Sequence, residues 1–387
     1  MSGGGPMERL FRLMAEKKAS DMFMSVGSPI HIKINGTSVP VNQQVMDNNM
    51  IKALLAEYLS EADMNTLATE CELNTAVGVS GAGRFRISAF HQRGSTSCVI
   101  RFVVSEIPTL ESLKVPPALA DVIMEKRGLI LMVGSTGSGK STTIAAMLDY
   151  RNSQKTGHIL TLEDPIEFMF KNKKSIVNQR EIGTDTKSLQ IALKNALRQA
   201  PDCILIGEIR DKDTMGAAIA YAQSGHLCLA TLHANNSYHA LNRIIGFYPI
   251  ENRPALLADL SAALKSVISQ RLIKTVSGGR RAAVEVLLNT RHIAELINKG
   301  EINEIKDAME NSLSSGSQTF EQSLYRLLKE GEISQEEALA NSDSPTNLMY
   351  LINNAPQVPD AKPDAPAAPA AAAQSDGPSF TEFTLNA

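Results

Sequence analysis

One stretch of the chain combines glycines, a lysine and hydroxyl residues at a spacing that suits phosphate binding. It consists of Gly134, Ser135, Thr136, Gly137, Ser138, Gly139, Lys140 and Ser141, with Thr142 after it. This is the Walker A pattern, in which backbone N–H groups surround phosphate oxygens at the start of a helix. A chance Gly/Ser loop is the weaker alternative, because an apolar strand precedes the motif and a helical pattern follows it. We expect Lys140 to contact the β- and γ-phosphates of ATP and Ser141 to ligate Mg²⁺.

Acidic residues follow two apolar, strand-like runs downstream of this loop. Residues 205–206 lead into Glu208, and residues 161–162 lead into Glu163 and Asp164. In a parallel sheet both strand ends lie at the edge that carries the phosphate loop. One carboxylate can then act on the Mg²⁺ side while the other orients and deprotonates the attacking water. Such acids also cap turns, but two sets beside a Walker A loop favour catalysis.

Two histidines flank the apolar run at residues 227–232. His226 and His233 are seven residues apart, which places them on opposite faces of a strand and makes them a poor metal pair. For His226 we expect a hydrogen-bonded structural role at the start of the strand. His233 lies at the catalytic edge, where it is a candidate for sensing phosphate.

Four arginines lie close together in the first part of the chain: Arg84, Arg86, Arg93 and Arg101. Alternation along a strand places Arg84 and Arg86 on one face. Spacing alone favours ordinary solvent exposure for all four. The basic run at residues 171–174 is most simply a solvated loop.

The elements around these residues fall into two patterns. Residues 7–18 predict an amphipathic helix, and Asn35 and Gly36 between alternating runs predict a hairpin. Further predicted elements are a helix at 49–59 and strands at 71–79, 84–90 and 97–104. From about residue 118, short apolar strands alternate with helices, which predicts a parallel sheet covered on both faces. These strands are predicted at 129–133, 158–162, 203–206 and 227–231, and the helices at 140–150, 186–198, 213–223 and 253–272.

The predicted class is therefore α/β, with an α+β unit ahead of the phosphate-binding unit. The predicted divisions are a flexible start at 1–6, an N-terminal domain at 7–106, a proline-rich linker at 107–117, an ATPase core at 118–290, a helical region at 291–354 and a disordered Ala/Pro-rich tail at 355–387.

Composition excludes several classes of protein. The chain has 387 residues, a formal net charge of -3, and four cysteines with no Cys-x-x-Cys pair. A zinc module, a disulfide framework and a nucleic-acid motor are all disfavoured. The sequence shows no apolar run near the roughly 20 residues that a membrane span needs, and no secretory signal, so we expect a cytoplasmic protein.

Several motifs together resemble the secretion-type ATPases, and most closely the type IV pilus retraction ATPases of the PilT and PilU kinds. Residues 159–168 look like the Asp box of that family, residues 196–211 like its Walker B region, and residues 225–233 like its His box. Residues 266–272, with the sequence SVISQRL, are also typical. The resemblance covers residues 7 to about 353.

The resemblance implies a homo-hexameric ring whose subunits each carry a PAS-like N-terminal domain and a RecA-like ATPase domain. It implies that Glu163 is the catalytic base, that Glu208 acts on the Mg²⁺ side, and that Arg86 and Arg101 reach the nucleotide. The ring would work on an inner-membrane platform protein at the cytoplasmic face of the pilus base.

Two departures favour the PilU type, an accessory ATPase that acts with a PilT-type partner. Residues 290–299 lose most of the arginine-rich character of the corresponding PilT helix, and residues 343–354 resemble the PilU tail. A scaffold that couples PilT to the pilus base, with dispensable hydrolysis, is the alternative. The intact Walker A loop, Glu163 and Glu208 argue against dispensable catalysis.

Overall fold

The computed structural model describes residues 5–34, 36–103, 106–312, 314 and 316–354. Its strands are β1 Asp21–Met24, β2 Pro29–Ile34, β3 Thr37–Val45, β4 Glu72–Val79, β5 Gly83–Gln92, β6 Ser95–Val103, β7 Gly128–Val133, β8 Gly157–Glu163, β9 Ser175–Glu181, β10 Cys203–Ile206, β11 Leu227–Leu232, β12 Leu264–Lys274 and β13 Arg280–Leu288. Its α-helices are α1 Pro6–Glu16, α2 Asn48–Ala56, α3 Glu61–Glu70, α4 Ala118–Ile123, α5 Lys140–Gln154, α6 Leu189–Ala196, α7 Lys212–Gln223, α8 Ser237–Gly246, α9 Arg253–Ala263, α10 Arg291–Lys299, α11 Ile305–Glu310, α12 Phe320–Lys329, α13 Gln335–Ala340 and α14 Pro345–Asn354. The predicted tail at 355–387 and residues 1–4 of the predicted flexible start lie outside the described residues.

The first six strands form an antiparallel sheet in the order β3-β2-β1-β6-β5-β4, which we call the N-terminal sheet. Along β5, Phe85 and Ile87 are buried, so Arg84 and Arg86 emerge on the opposite face. The predicted first helix is present as α1, and it begins at Pro6, one residue before the predicted start. Its Phe11 ring packs on Phe85 with 4.3 Å between the ring centroids. The antiparallel α+β unit is confirmed.

One helix of this unit was not predicted. Helix α3 buries only Leu67, so its sequence carries little helical periodicity. Its start is defined instead by a reciprocal capping box between Ser60 and Asp63. The hydrogen bonds of the capping box thus favour a helix here although the apolar periodicity is weak.

The remaining seven strands form the C-terminal sheet, in the order β13-β12-β7-β11-β10-β8-β9. All its neighbouring strands are parallel except β12 and β13. Every residue of the interior strand β7 is buried, as a strand covered on both faces requires. The predicted parallel sheet is confirmed, and the carboxyl ends of β7, β8, β10 and β11 share one edge.

The prediction of a single helix over residues 253–272 is wrong. Helix α9 ends at Ala263, and β12 follows directly as a buried strand paired with β7. Periodicity does not separate a strand buried on both faces from a buried helix. The β-branched Val267 and Ile268 fit the strand, because their side chains pack well on a pleated surface.

Two edge strands of this sheet, β9 and β13, were not predicted. The basic run at residues 171–174 lies just before β9 and is exposed, as expected for a solvated loop. Strand β13 continues from β12 as an antiparallel hairpin.

Helices α10–α14 confirm the predicted helical region. Phe320 and Leu324 of α12 pack against Ile273 of β12 and Ala283 of β13 in one buried cluster. The Arg271 guanidinium lies over the Phe320 ring, 4.0 Å from its centroid. Over the part of the chain that the structure describes, no helix combines the length and the apolar character that crossing a membrane requires.

Candidate active site

The phosphate loop connects β7 to α5, and its backbone conformation depends on glycine. Gly134, Gly137 and Gly139 all have positive φ, at 155°, 79° and 85°. A side-chain carbon on Gly134 would lie 2.6 Å from the carbonyl oxygen of Gln270, and one on Gly139 would lie 2.8 Å from Gln270 Nε2. Larger residues are therefore excluded by both conformation and space. The loop leads straight into the N-terminus of α5, which favours an anion.

Lys140, the first residue of α5, is held against this loop. Its Nζ donates to the carbonyl oxygens of Gly134 and Ser135, each at 2.8 Å. Burial lowers the pKa of Lys140, and the carboxylates of Glu208 and Glu167 act in the opposite direction. The ammonium thus lies at the loop beside two carboxylates, where it can bind phosphate oxygens.

Gln270 of β12 fixes the loop from behind. Its Nε2 donates to the carbonyl oxygen of Ser138, and its Oε1 accepts from the Thr143 hydroxyl, both at 2.8 Å. The Gln270 side chain is buried, so water does not compete for these bonds. We did not predict this role. The SVISQRL run at residues 266–272 is the sequence signal for it, and that run indicates the family but no function for the glutamine.

Glu163 is the last residue of strand β8, and one oxygen of its carboxylate accepts hydrogen bonds. Its Oε1 accepts from the Thr161 hydroxyl at 2.7 Å and from Gln179 Nε2 at 3.1 Å. Gln179 also donates to the carbonyl oxygen of Phe168 and accepts from the N–H of Phe170, which ties Glu163 to the following loop. Burial raises the pKa of Glu163, and the hydrogen bonds offset only part of that rise. A carboxylate with a raised pKa is better suited to accept a proton near neutral pH.

Glu208 follows strand β10, and it lines the same cavity as Glu163. Its Oε2 accepts from Arg210 Nε at 2.6 Å, and its Oε1 lies 3.4 Å from His233 Nε2. His233 therefore lies beside Glu208, the acid that we expected on the Mg²⁺ side. His226, in contrast, contacts the Ser224 hydroxyl at 3.0 Å, which agrees with the structural role predicted for it.

Gly207 allows the two acid-bearing strands to approach each other closely. Its N–H donates to the carbonyl oxygen of Leu162 at 2.8 Å, and a side-chain carbon there would lie 3.0 Å from that oxygen. The Thr231 hydroxyl donates to the Gly207 carbonyl from β11. Backbone and hydroxyl contacts thus set the separation of Glu163 and Glu208.

A cavity of about 530 Å³ collects half of the predicted site residues. Those that line it are Thr136, Gly137, Lys140, Ser141, Glu163, Glu208 and His233. Gly134, Ser135, Ser138, Gly139 and Thr142 shape the loop and the first turn of α5 without lining this cavity. The lining also includes Asp164, the acid predicted beside Glu163, and Glu167, Lys187, Arg210 and Asp211, for which we predicted no site role.

The two predicted arginines of the N-terminal sheet do not line this cavity. Arg86 donates to the carbonyl oxygen of Ile166 at 2.9 Å, and burial lowers the pKa of its guanidinium. Arg101, which pairs with Arg86 in the β5–β6 register, binds Asp21 at 2.9 Å and is largely exposed. In this structure Arg86 contacts the loop after Glu163, and Arg101 contacts its own sheet.

The oxygen ligands at the site suit Mg²⁺ shared with phosphate groups. Ser141 and Glu208 both line the cavity. Among residues 5–354, apart from those left out above, no group of three or more His, Cys, Asp or Glu side chains forms a self-sufficient metal site. Mg²⁺ commonly takes one or two protein ligands together with substrate phosphates and water, and these residues fit that pattern.

Comparisons with known proteins agree with this geometry. Residues 7–340 match the family described as "Type II/IV secretion system protein". The chain is 48% identical to the type IV pilus ATPase PilU of Pseudomonas aeruginosa, over 89% of this chain and 91% of that protein. It is 38% identical to the retraction ATPase PilT of the same organism, over 88% of this chain and 98% of PilT.

Solved structures show the same similarity at the level of the fold. A crystal structure of the pilus retraction motor PilT with bound ADP matches with a TM-score of 0.83 and 38% identity, over 90% of this chain and 99% of PilT. The Legionella pneumophila ATPase DotB matches with a TM-score of 0.75 at 24% identity, over 86% of this chain and 93% of DotB, which supports the fold. The predicted resemblance and the predicted fold class are both confirmed.

Proposed function

Because the chain belongs to the Type II/IV secretion system protein family, and within it to the PilT and PilU pilus ATPases, we propose that it hydrolyses ATP to power type IV pilus retraction. The observation that carries this proposal is the meeting of the phosphate loop, Glu163 and Glu208 around one cavity. These groups come from three separate strand ends. Together they supply a phosphate cradle, a base and a metal-side carboxylate.

In the proposed reaction, the loop amides and Lys140 bind the phosphates of ATP, and Ser141 and Glu208 hold Mg²⁺. Bound Mg²⁺ neutralises charge on the phosphate oxygens. Glu163 orients a water molecule for attack on the γ-phosphate and takes its proton. We assign His233 the role of responding to phosphate, and the 3.4 Å between its Nε2 and Glu208 Oε1 supports this.

We assign the working protein to a homo-hexameric ring of the PilU type. Each subunit has the domains given above, with a PAS-like domain at 7–106 and a RecA-like core at 118–290. In the ring, Arg86 and Arg101 are the arginines of the N-terminal sheet to which we assign contact with nucleotide. The ring acts with a PilT-type ATPase on the inner-membrane platform protein, at the cytoplasmic face of the pilus base.

Twitching motility and pilus retraction in a strain that carries the chain test the proposal. Lys140→Ala should abolish the contribution of this protein to retraction, because the loop loses its phosphate-binding cation, while pili are still assembled. Lys126→Ala is the matched control, since it removes an exposed lysine in the same part of the chain. Normal forceful retraction with Lys140→Ala would contradict an ATP-driven role.

A strain that carries Glu163→Gln distinguishes a motor from a scaffold. A scaffold requires that Glu163→Gln restores retraction as well as the wild type does when active PilT is present. A motor requires that this variant still binds PilT in a pull-down but does not restore retraction.

A further inference from the structure

Two arginines reach from the N-terminal sheet to the loop that follows Glu163. Arg84 and Arg86 share one face of β5, opposite the buried Phe85 and Ile87. The Nε atoms of both arginines are buried with no hydrogen-bond partner among the described residues. Their guanidinium groups are thus partly removed from water between the two sheets, where a charge needs a specific partner.

Arg84 has such a partner in Glu181, the last residue of β9. The Nη2 atom of Arg84 lies 3.1 Å from Oε2 of Glu181, and the Glu181 side chain is only 5% exposed. The same oxygen accepts the N–H of Ile166 at 3.0 Å. One carboxylate oxygen therefore joins the N-terminal sheet to the backbone of the loop at Ile166.

Ile166 is held from its other side by Arg86, which donates to its carbonyl oxygen at 2.9 Å. Both polar backbone atoms of this residue are thus fixed by contacts that include the N-terminal sheet. Ile166 itself is 2% exposed, so its side chain is anchored as well. We call Arg84, Arg86, Ile166 and Glu181 the arginine latch.

The latch is connected to Glu163 by two short routes. Glu181 lies opposite Glu163 in the β8–β9 register, and the N–H of Ile182 donates to the Glu163 carbonyl at 2.9 Å. Gln179 contacts both the Glu163 carboxylate and the carbonyl of Phe168, two residues after Ile166. These contacts link the position of Ile166 to that of the Glu163 carboxylate.

We propose that Arg84 and Glu181 are positioning residues that hold Glu163 in its reactive orientation only while the N-terminal sheet is docked on the loop. The proposal rests on the proposed function, in which Glu163 is the base. Neither Arg84 nor Glu181 lines the cavity, so they act on the reaction through the loop rather than through ATP. Movement of the N-terminal sheet then switches hydrolysis on and off.

Steady-state ATP hydrolysis by the full chain tests this role through separate values of kcat and KM. Arg84→Ala and Glu181→Gln should each lower kcat by roughly tenfold or more, because small misplacements of a catalytic group are costly. The KM for ATP should stay within about twofold, because the phosphate loop is untouched. Arg84→Lys keeps the cation and should recover much of the lost kcat.

Further variants test whether a loss of kcat comes from the Arg84–Glu181 contact. Arg9→Ala removes an exposed arginine of α1 and should leave both constants unchanged. Arg84→Ala combined with Glu181→Gln should be no slower than the slower single variant, because both break the same contact. Glu181→Gln keeps an oxygen for the Ile166 N–H, so it decides the question if Arg84→Ala fails to fold.

Two outcomes would overturn the latch. One is a wild-type kcat in both Arg84→Ala and Glu181→Gln, and the other is a loss that appears only in KM. These outcomes presuppose an active wild-type enzyme, so they differ from a failure of the proposed function, in which the wild type hydrolyses no more ATP than Lys140→Ala.

Discussion

Replacing Gln270 by methionine should weaken ATP binding although Gln270 does not line the cavity. Methionine is similar in volume and fits a buried position, so the change removes hydrogen bonds without opening a large cavity. It leaves the Ser138 carbonyl and the Thr143 hydroxyl without the partners that they have at 2.8 Å. The phosphate loop should then lose its fixed curvature around Gly139.

The expected size of the effect follows from those two bonds. An unpaired buried polar group costs about 1–3 kcal/mol, so the two lost bonds give roughly 2–6 kcal/mol in total. If about half of this appears as disorder of the loop, the Kd for ATP rises by at least roughly fivefold, since 1.4 kcal/mol corresponds to a factor of ten. The rest should appear as a lower thermal stability.

Titration of the purified chain with a fluorescent ATP analogue measures the change in Kd. Gln270→Glu should bind at least as weakly as Gln270→Met, because it loses the donor to Ser138 and adds negative charge behind the phosphates. Gln199→Met is the control, since Gln199 is exposed and remote from the loop. A Kd for Gln270→Met within about twofold of wild type would refute the reasoning that Gln270 orders the loop.

Four further predictions concern the base, the loop and a buried acid. Glu163→Gln should lower kcat by roughly 100-fold or more while ATP binding persists, as single-turnover and binding measurements would show; equal losses in both would argue against a base. Because burial raises the pKa of Glu163, the kcat of the wild type should decline as the pH falls, with a midpoint above that of an ordinary glutamate, and a pH–rate profile without that shift would contradict the assignment. Gly139→Ala should destabilise the loop by about 1–2 kcal/mol and weaken ATP binding, because its φ is 85° and the added carbon would lie 2.8 Å from Gln270 Nε2; unchanged affinity would count against this. Burial also raises the pKa of Glu285, which accepts from the Ser237 N–H and the Ser269 hydroxyl, so stability is lost as the pH rises from the ordinary pKa of a glutamate through the folded-state pKa of Glu285. Glu285→Gln should therefore raise Tm at pH 8 by more than at pH 5, and the opposite pH trend would refute this.

The sequence was most informative where the chemistry is local. The phosphate loop, with Lys140 as its cation, follows from the spacing of eight consecutive residues, and the parallel strands follow from short apolar runs. The carboxyl ends of parallel strands meet at one edge of the sheet, which predicts that Glu163 and Glu208 lie together, and in the structure both line the same cavity. Each of these inferences needs only neighbouring residues and a general rule of sheet topology.

The parts that were not predicted depend on contacts between distant residues. Gln270 bonds to Ser138 across 132 positions, and Arg84 bonds to Glu181 across 97. No local pattern marks such a pair, and solvent exposure was the reasonable expectation for Arg84. Strand β12 was misassigned for a related reason, because its pairing with β7 rather than its own periodicity makes it a strand.

The most direct test of the central claim is the rate of phosphate release by the purified chain in the presence of ATP and Mg²⁺. We expect steady hydrolysis by the wild type, loss of it on chelation of Mg²⁺, and no activity above background for Glu163→Gln and Lys140→Ala. Hydrolysis by both variants at the wild-type rate would show that this cavity is not the ATPase site.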